Sequence, residues 1–257
     1  MPNTHGSFVW YELMTTDAKA GEDFYRDVVG WSAEKAPVPG VDYTLLKADS
    51  APRAGMVTMP AAVCDAGWRP GWMGYVAADD VDATARRVSE LGGKVHRGPQ
   101  DIPGVGRFAI VADPQGAVFA LLKWETPHED EAPAPGKPGH AGWRELYAGE
   151  LKSAFDFYSK LFGWSKAEAH DMGPMGIYQL FALGSETIGG MMTKPAQMPV
   201  PVWNYYFNVD AASAAAQRAK DKGGEILNGP MEVPGGSWIV QGRDPQGAVF
   251  ALLSGCH

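Results

Sequence analysis

The sequence predicts an α+β protein made of two tandem copies of one domain. The decapeptide Asp-Pro-Gln-Gly-Ala-Val-Phe-Ala-Leu-Leu occurs at residues 113–122 and again, unchanged, at residues 244–253. Within each copy, short apolar and aromatic runs alternate with segments of helical spacing. Because the chain has 257 residues, each copy has the length of an ordinary domain that can bury its own core.

The first half of copy one predicts a strand, a helix and two further strands. Residues 8–14 are rich in aromatic and apolar side chains, which is typical of a half-buried strand. Asp17 is a suitable N-cap for a helix whose apolar residues recur at helical spacing, and Gly30 ends this helix. Two more strands are predicted at 43–47 and 55–59, because turn residues separate these runs.

After a poorly patterned loop at 61–70, the second half of the copy repeats this plan. A strand is predicted at 72–78, followed by a helix that begins at Asp80 or Asp82 and ends at Gly92-Gly93. The copy is completed by these elements: a strand at 94–97, a strand at 107–112 and a hairpin turn at Asp113. Each copy therefore consists of two βαβββ modules.

Copy two follows the same order, with Trp143-Arg-Glu-Leu in place of Trp10-Tyr-Glu-Leu. We predict two domains, at residues 7–124 and 141–255, joined by a linker at 125–140. The linker is rich in proline and acidic residues and cannot pack a core. Two pairings stay open: the modules of one copy close on each other, or they exchange partners with the other copy.

Composition and charge restrict the class of partner. The chain is 45% apolar and 20% charged, which is typical of a soluble globular protein. Its net charge of −8 argues against nucleic acid and anionic membranes, whose binding rests on clustered Lys and Arg. No window approaches the ~20 apolar residues of a membrane span, and the N-terminus lacks a signal-peptide pattern. We expect a cytoplasmic monomer or homodimer in which Cys64 and Cys256 are free thiols.

Several motifs together resemble the vicinal oxygen chelate superfamily. They are Asp17 after the first strand, Phe24-Tyr25, Gly30-Trp31 and the Asp113-Pro-Gln-Gly turn before the last strand. The resemblance is to the glyoxalase, bleomycin-resistance and extradiol-dioxygenase branch, and it covers nearly the whole chain, twice over. It implies that each domain is a curved mixed sheet around a cleft, with helices outside. The family spans isomerases, dioxygenases, thiol transferases and metal-free drug-binding proteins, so the fold alone does not specify a reaction.

Members of this family that do chemistry usually hold one divalent metal through three strand positions. Counted along this chain, those positions carry the following residues: Trp10, Met73 and Ala120 in copy one, and Trp143, Asn204 and Ala251 in copy two. These side chains offer neither imidazole nor carboxylate, and Asn204 offers at most one amide oxygen. We therefore expect no metal ion and no other cofactor.

Glu12 and Glu145 are the candidate catalytic carboxylates. Each follows a tryptophan by two residues, so it shares the cleft-facing side of its strand with Trp10 or Trp143. A carboxylate in apolar surroundings suits a general base or a hydrogen-bond acceptor for a ligand. The alternative is a structural carboxylate that an arginine or a backbone N–H satisfies.

Arg107 is the third catalytic candidate. If the hairpin folds about Pro114-Gln115, Arg107 lies opposite Leu122 and faces the cleft. There it could pair with Glu12 or clamp a carboxylate or enolate of a ligand. Copy two has Trp238 at this position, so the two clefts are expected to differ.

Aromatic side chains are expected to wall the clefts, and flat apolar walls suit an aromatic or polycyclic ligand. Core packing is the alternative for any one of them. The predicted ligand-contacting residues are Trp10, Trp72, Met73, Tyr75 and Ala120 in copy one, and Trp143, Tyr147, Asn204, Tyr206 and Trp238 in copy two. Core positions are expected for Tyr25, Trp31, Tyr158 and Trp164. Solvated positions are expected for His5, His128, His140 and His257.

Three functions follow from these residues. The leading hypothesis is a metal-independent protein that binds a small, partly aromatic organic molecule in one or both clefts. The second is a metal-free enzyme, of lyase or isomerase type, with Glu12 or Glu145 as general base and Arg107 stabilising developing negative charge. The third is a metal-dependent glyoxalase or dioxygenase, which the residues at the ligand positions disfavour.

Overall fold

A computed structural model describes residues 4–38, 40–126 and 134–257. The elements of copy one are β1 Phe8–Thr15, α1 Ala18–Val29, β2 Ser32–Ala36, β3 Tyr43–Ala48, β4 Ala51–Thr58, α2 Ala61–Asp65, β5 Gly71–Ala77, α3 Val81–Glu90, β6 Lys94–Ile102, β7 Gly106–Ala112 and β8 Val118–Trp124. Those of copy two are β9 Ala141–Ala148, α4 Leu151–Phe162, β10 Ser165–Asp171, β11 Ile177–Leu183, β12 Glu186–Thr193, β13 Val202–Asn208, α5 Ala212–Asp221, β14 Glu225–Glu232, β15 Trp238–Arg243 and β16 Val249–Ser254. Each copy contains the two predicted βαβββ modules, but β2 Ser32–Ala36 lies where the sequence indicated no strand. The predicted loop at 61–70 contains the short helix α2.

Each copy forms one eight-stranded mixed sheet. The strand order is β2-β3-β4-β1-β5-β8-β7-β6 in copy one and β10-β11-β12-β9-β13-β16-β15-β14 in copy two. The predicted α+β fold with two glyoxalase-like domains is therefore confirmed. All eight strands of each sheet come from one copy.

The helices begin and end where capping chemistry predicts. The Asp17 carboxylate accepts from the backbone N–H of Ala20 at 2.9 Å, and Gly30 adopts a φ of 89° after the last turn of α1. For α3 the sequence allowed two starts, and the structure selects Asp80, whose side chain accepts from Ala83 N–H at 2.9 Å. No helix in the described part of the chain is long and apolar enough to cross a membrane.

By proximity the chain divides into two compact units, and each contains one module from each copy. The first unit holds most of copy one's second module and copy two's first module; the second unit holds the other two. Inside each unit the helices cover one face of the strands, which we call the covered face, and the opposite face is called the open face. The core expected for Tyr25, Trp31, Tyr158 and Trp164 is confirmed, since each is no more than 1% exposed.

Inside each unit, a buried Trp–Tyr–Asp chain links the two copies. In the first unit, Trp203 Nε1–H donates to the Tyr158 hydroxyl at 3.0 Å, and that hydroxyl donates to the Asp113 carboxylate at 3.1 Å. The second unit repeats this with Trp72, Tyr25 and Asp244, in the same order, both distances being 3.0 Å. Burial raises the pKa of Asp113 and of Asp244, although backbone N–H groups partly oppose this effect.

The end of the predicted linker is packed rather than solvated. Gly139 donates its N–H to Asn208 O at 2.8 Å and accepts from Trp31 Nε1 at 2.8 Å. His140 is 4% exposed, and burial lowers the pKa of its imidazole, so its expected solvated position is wrong. His5 is also half-buried and contacts Leu161 O at 3.1 Å. His128 lies outside the described residues.

Candidate functional site

The carboxylate of Glu12 lies on the open face of β1. Its neighbours Tyr11 and Leu13 are 6% and 0% exposed on the covered face, and side chains alternate along a strand. Trp10 and Glu12 therefore project together from the other side, where both are half-buried. This pairing follows the prediction from the sequence.

Tyr43, on β3, completes a hydrogen-bonded cluster with these two residues. The Trp10 indole Nε1–H donates to the Tyr43 hydroxyl oxygen at 3.0 Å. The same hydroxyl donates to the Glu12 carboxylate. Burial, followed by the negative charge of Glu12, raises the pKa of Tyr43 far above its usual range, so the phenol stays protonated. We call Trp10, Glu12 and Tyr43 the open-face cluster.

Gly55 is the reason why Tyr43 can reach Glu12. In the parallel pairing of β1 with β4, Glu12 is opposite Gly55, and the Tyr43 ring crosses directly over this glycine. A Cβ at position 55 would lie 1.8 Å from the Tyr43 hydroxyl oxygen and 2.4 Å from Cζ. The missing side chain therefore provides the space in which the phenol lies.

Copy two contains the same parts on its first module. Glu145 is 7% exposed and is opposite Gly190 in the pairing of β9 with β12. The ring of Tyr178 lies over that glycine, where a Cβ would be 2.4 Å from Cζ. Trp143 and Tyr147 share the open-face alternation of Glu145 and are half-buried. The arrangement around Glu12 is thus a repeated feature.

The second modules carry the remaining predicted open-face residues. Tyr75 is adjacent to Ala120, and Tyr206 to Ala251, in matching parallel strand pairs. All four are 6% exposed or less. Met73 and Asn204, which are 3% and 9% exposed, share this alternation on β5 and β13. Met73, Ala120, Asn204 and Ala251 occupy positions that the resemblance assigned to metal ligands.

Arg107 does not face the cleft, and the hairpin register expected from the sequence is wrong by one residue. Arg107 pairs with Lys123 instead of Leu122, so it projects from the covered face. Its guanidinium donates to Asp82 at 2.6 and 2.9 Å and to Asp101 at 2.8 Å. The expected partnership with Glu12 is replaced by these ion pairs.

The turn chemistry explains the shift. Asp113 Oδ1 accepts from the N–H groups of Gln115 and Ala117 at 2.9 Å each, and Asp113 N–H donates to Ala117 O at 3.0 Å. The connection is one residue longer than a two-residue turn about Pro114-Gln115. Because side chains alternate along a strand, one residue moves Arg107 to the other face.

Trp72 and Trp238, which were also predicted to contact a ligand, do not lie where the sequence predicts. Trp72 packs in the core of the second unit, where its ring lies 4.7 Å from that of Phe207 and its N–H is held by Tyr25. Trp238, the counterpart of Arg107, pairs with Ser254 and lies 4.3 Å from the His257 ring. Neither residue lies on the open face.

The side chains of this chain do not fit the family's metal. Among the described residues, no group of three His, Cys, Asp or Glu side chains lies close enough to hold an ion. At the family's positions, the Trp10 N–H is a donor to Tyr43, and Ala120 and Ala251 are buried methyl groups. A divalent cation needs anionic or imidazole ligands, which these positions do not provide.

Two surface cavities lie away from these residues. One, of about 350 Å³, lies at the start of α1 and is lined by residues such as Asp17 and Lys19. The other, of about 470 Å³, is lined by residues that include Asp49 and Arg218. The open-face cluster borders neither cavity. Its three side chains are half-buried, so part of each remains accessible to a ligand.

Sequence reasoning missed Tyr43 and Tyr178. The two copies align at an offset of 133 between Glu12 and Glu145, but at 135 between Tyr43 and Tyr178. The matching runs Ala54-Gly-Met-Val-Thr and Gly189-Gly-Met-Met-Thr, also offset by 135, carry the signal. Aligning these runs would have placed a tyrosine and a glycine beside each glutamate.

The fold and the site together define a tandem protein of βαβββ modules in which each copy's first module places a glutamate opposite a glycine that a tyrosine ring covers. The chain belongs to the Glyoxalase/Bleomycin resistance protein/Dioxygenase superfamily, whose model matches residues 7–121 and 137–252. The predicted resemblance is confirmed.

The chain is similar to two curated proteins over nearly its whole length and to solved structures of the same fold. "Putative glyoxylase CFP32" of Mycobacterium tuberculosis is 31% identical over 95% of this chain and 93% of its own length. The anthracycline biosynthesis protein DnrV of Streptomyces peucetius is 32% identical over 96% of this chain and 93% of its own length. The Mn(II)-bound glyoxalase of Novosphingobium aromaticivorans superposes with a TM-score of 0.66 at 19% identity, covering 100% of this chain and 83% of that one. The last similarity shows the shared fold.

Proposed function

We propose that this protein binds a small, partly aromatic organic molecule at its open faces, without the divalent metal of its chelating relatives. The observation that carries the proposal is the open-face cluster, in which an indole and a carboxylate of β1 meet a phenol of β3 across the glycine of β4. An indole and a phenol offer flat apolar surface to an aromatic ring, and the carboxylate accepts from a ligand hydroxyl or N–H. The relationship to a protein of anthracycline biosynthesis supports a polycyclic aromatic ligand.

Metal independence is supported by the residue types at the family's ligand positions. Indole, thioether, methyl and amide groups make poor ligands for the divalent ions of this family. The partnership of Glu12 with the Tyr43 hydroxyl supports the use of this carboxylate as a hydrogen-bond acceptor rather than as a metal ligand.

Calorimetric titration with anthraquinone-2-sulfonate tests this proposal. Chelator-treated protein should bind the probe with an affinity that excess Mn²⁺ or Zn²⁺ changes by less than about twofold, because no metal bridges ligand and protein. Quenching of Trp10 fluorescence, obtained by comparison with Trp10→Phe, should follow the same curve. Binding that needs the metal, or no binding, would reject the proposal.

A second candidate function, metal-free proton transfer, is favoured by the position of Glu12. Here the carboxylate removes a proton from a carbon next to a ligand carbonyl, the electron pair stays on the ligand as an enolate, and the proton later returns from Glu12. The Tyr43 hydroxyl orients the carboxylate and remains protonated throughout.

Solvent deuterium incorporation into 2-tetralone, followed by proton NMR, tests this second candidate. Glu12→Gln combined with Glu145→Gln should reduce the exchange rate by roughly a hundredfold while probe affinity stays within a few-fold. Glu90→Gln is the matched control, because this side chain is 62% exposed at the end of α3. Equal exchange by the double variant and the control would leave binding as the function.

A further inference from the structure

A chain of polar side chains runs along the open face of copy two's second module. Asn228 Nδ2–H donates to Gln241 Oε1 at 3.3 Å, and Gln241 Nε2–H donates to the Tyr206 hydroxyl oxygen at 2.6 Å. Gln241 is opposite Ala251 in the pairing of β15 with β16, beside Tyr206. The buried Asn204 follows the same alternation on β13. The amides of Asn228 and Gln241 and the phenol of Tyr206 thus share one small area within the second unit.

The same positions in copy one have a different chemistry. There Arg97 is opposite Ile110, and Ile110 is opposite Ala120, as Asn228, Gln241 and Ala251 are in copy two. The apolar Ile110 replaces the glutamine. The guanidinium of Arg97 lies 5.0 Å from the centre of the Phe108 ring.

Gln241 and Ile110 therefore occupy equivalent positions in the second modules of the two copies. The strand pairing at these positions is the same in both modules, and the side chains that occupy them differ in type. An amide–phenol array recognises ligand groups that donate or accept hydrogen bonds, whereas isoleucine in that place favours apolar surface.

We infer that the second module of copy two binds the carbonyl- or hydroxyl-bearing edge of an aromatic ligand, and that Gln241 is its specificity-determining residue. This inference rests on the proposed function, because it assigns the ligand edge that one of the open faces selects. Asn228 holds the amide carbonyl of Gln241, which leaves the amide N–H end directed at Tyr206. A quinone or phenol oxygen joins this hydrogen-bond chain when the ligand binds, and copy one lacks its central amide.

Two matched probes test the inference: anthraquinone-2-sulfonate and anthracene-2-sulfonate. They share ring number and sulfonate and differ in the two carbonyl groups, so their affinity ratio measures carbonyl recognition. The wild-type protein should prefer the quinone by about fivefold, the contribution of one net hydrogen bond. Gln241→Ile, which copies the residue of copy one, should bring the ratio close to one.

Control variants separate this role from a structural one. Gln217→Ile makes the same substitution on the exposed surface of α5 and should keep the ratio of the wild-type protein. If Gln241→Ile does not fold, Asn228→Ala serves instead, because Asn228 is exposed and its loss should lower the ratio by releasing Gln241.

The outcomes distinguish this inference from the function on which it rests. Tight binding of both probes with a ratio that Gln241→Ile or Asn228→Ala leaves unchanged overturns the inference and retains the proposed function. If neither probe binds the wild-type protein, the proposed function and the inference both fail.

Discussion

An alanine at position 55 would place its Cβ 1.8 Å from the Tyr43 hydroxyl oxygen and 2.4 Å from Cζ. Ordinary contacts between such atoms are about 3.4 Å or longer, so the aromatic ring would have to move by more than an ångström. That movement would separate the phenol from Glu12 and Trp10. Gly55→Ala is therefore expected to break the hydrogen bonds of the open-face cluster although all three of its residues are unchanged.

The expected loss of stability in Gly55→Ala combines two destabilising effects and one that offsets them in part. A hydrogen bond to a charged group contributes about 1.5–3 kcal/mol, and overpacking of a filled site costs about 1–3 kcal/mol. Alanine recovers about 0.4–1 kcal/mol by restricting the unfolded chain. The net loss in the free energy of unfolding at Gly55 is thus about 2–5 kcal/mol, or a decrease in Tm of about 5–15 °C.

Thermal and urea unfolding measure this loss, with Gly71→Ala as control. A Cβ at Gly71 meets no atom within 4 Å, and the backbone there is not left-handed, so the control should be neutral or slightly stabilising. In a Tyr43→Ala background, Gly55→Ala should cost little, because the clashing ring is gone. Equal stability of Gly55→Ala and Gly71→Ala would refute the reasoning.

Three further predictions concern the buried turn and the covered face. Tyr158→Phe should lower the free energy of unfolding by about 2–4 kcal/mol, because the Trp203 N–H and the Asp113 carboxylate both lose a buried partner; urea midpoints measure this. Since the native pKa of Asp113 is raised above its ordinary 3.8, its contribution to stability is full below that value and declines as pH rises through the native pKa. Wild-type stability relative to Asp113→Asn should therefore increase on acidification, and a flat difference between pH 7 and pH 4 would contradict this. Arg107→Gln should leave probe affinity unchanged in calorimetry, because its guanidinium holds Asp82 on the covered face; a loss of affinity would return it to the site.

Glu12 and Glu145 could be placed on the cleft side from the sequence because strand alternation is a local rule. Their partners could not be placed in the same way. Tyr43 is 31 residues from Glu12 along the chain, and it reaches the carboxylate only because three strands assemble in the order β3-β4-β1 with a glycine in the middle. Contacts of this kind arise when strands pair, and no short window of sequence contains them.

Arg107 and Trp238 show how sensitive a predicted face is to register. Both were expected on the cleft side from a two-residue turn. The Asp113 carboxylate captures the Ala117 N–H, which lengthens the turn by one residue. Because the side-chain period of a strand is two, this one residue exchanges the open and covered faces along the whole strand.

The sequence by itself determined the duplication, the order of elements in each module, the caps at Asp17 and Gly30 and the core positions of Tyr25 and Tyr158. Each depends on interactions over a few residues or on hydrophobic period. The tertiary structure decided the hairpin register, the tyrosine beside each glutamate and the partner of each turn aspartate. In each unit, the turn aspartate of one copy binds the helix tyrosine of the other. Such a buried bond requires both partners to be desolvated together, which happens only when the modules of the two copies pack.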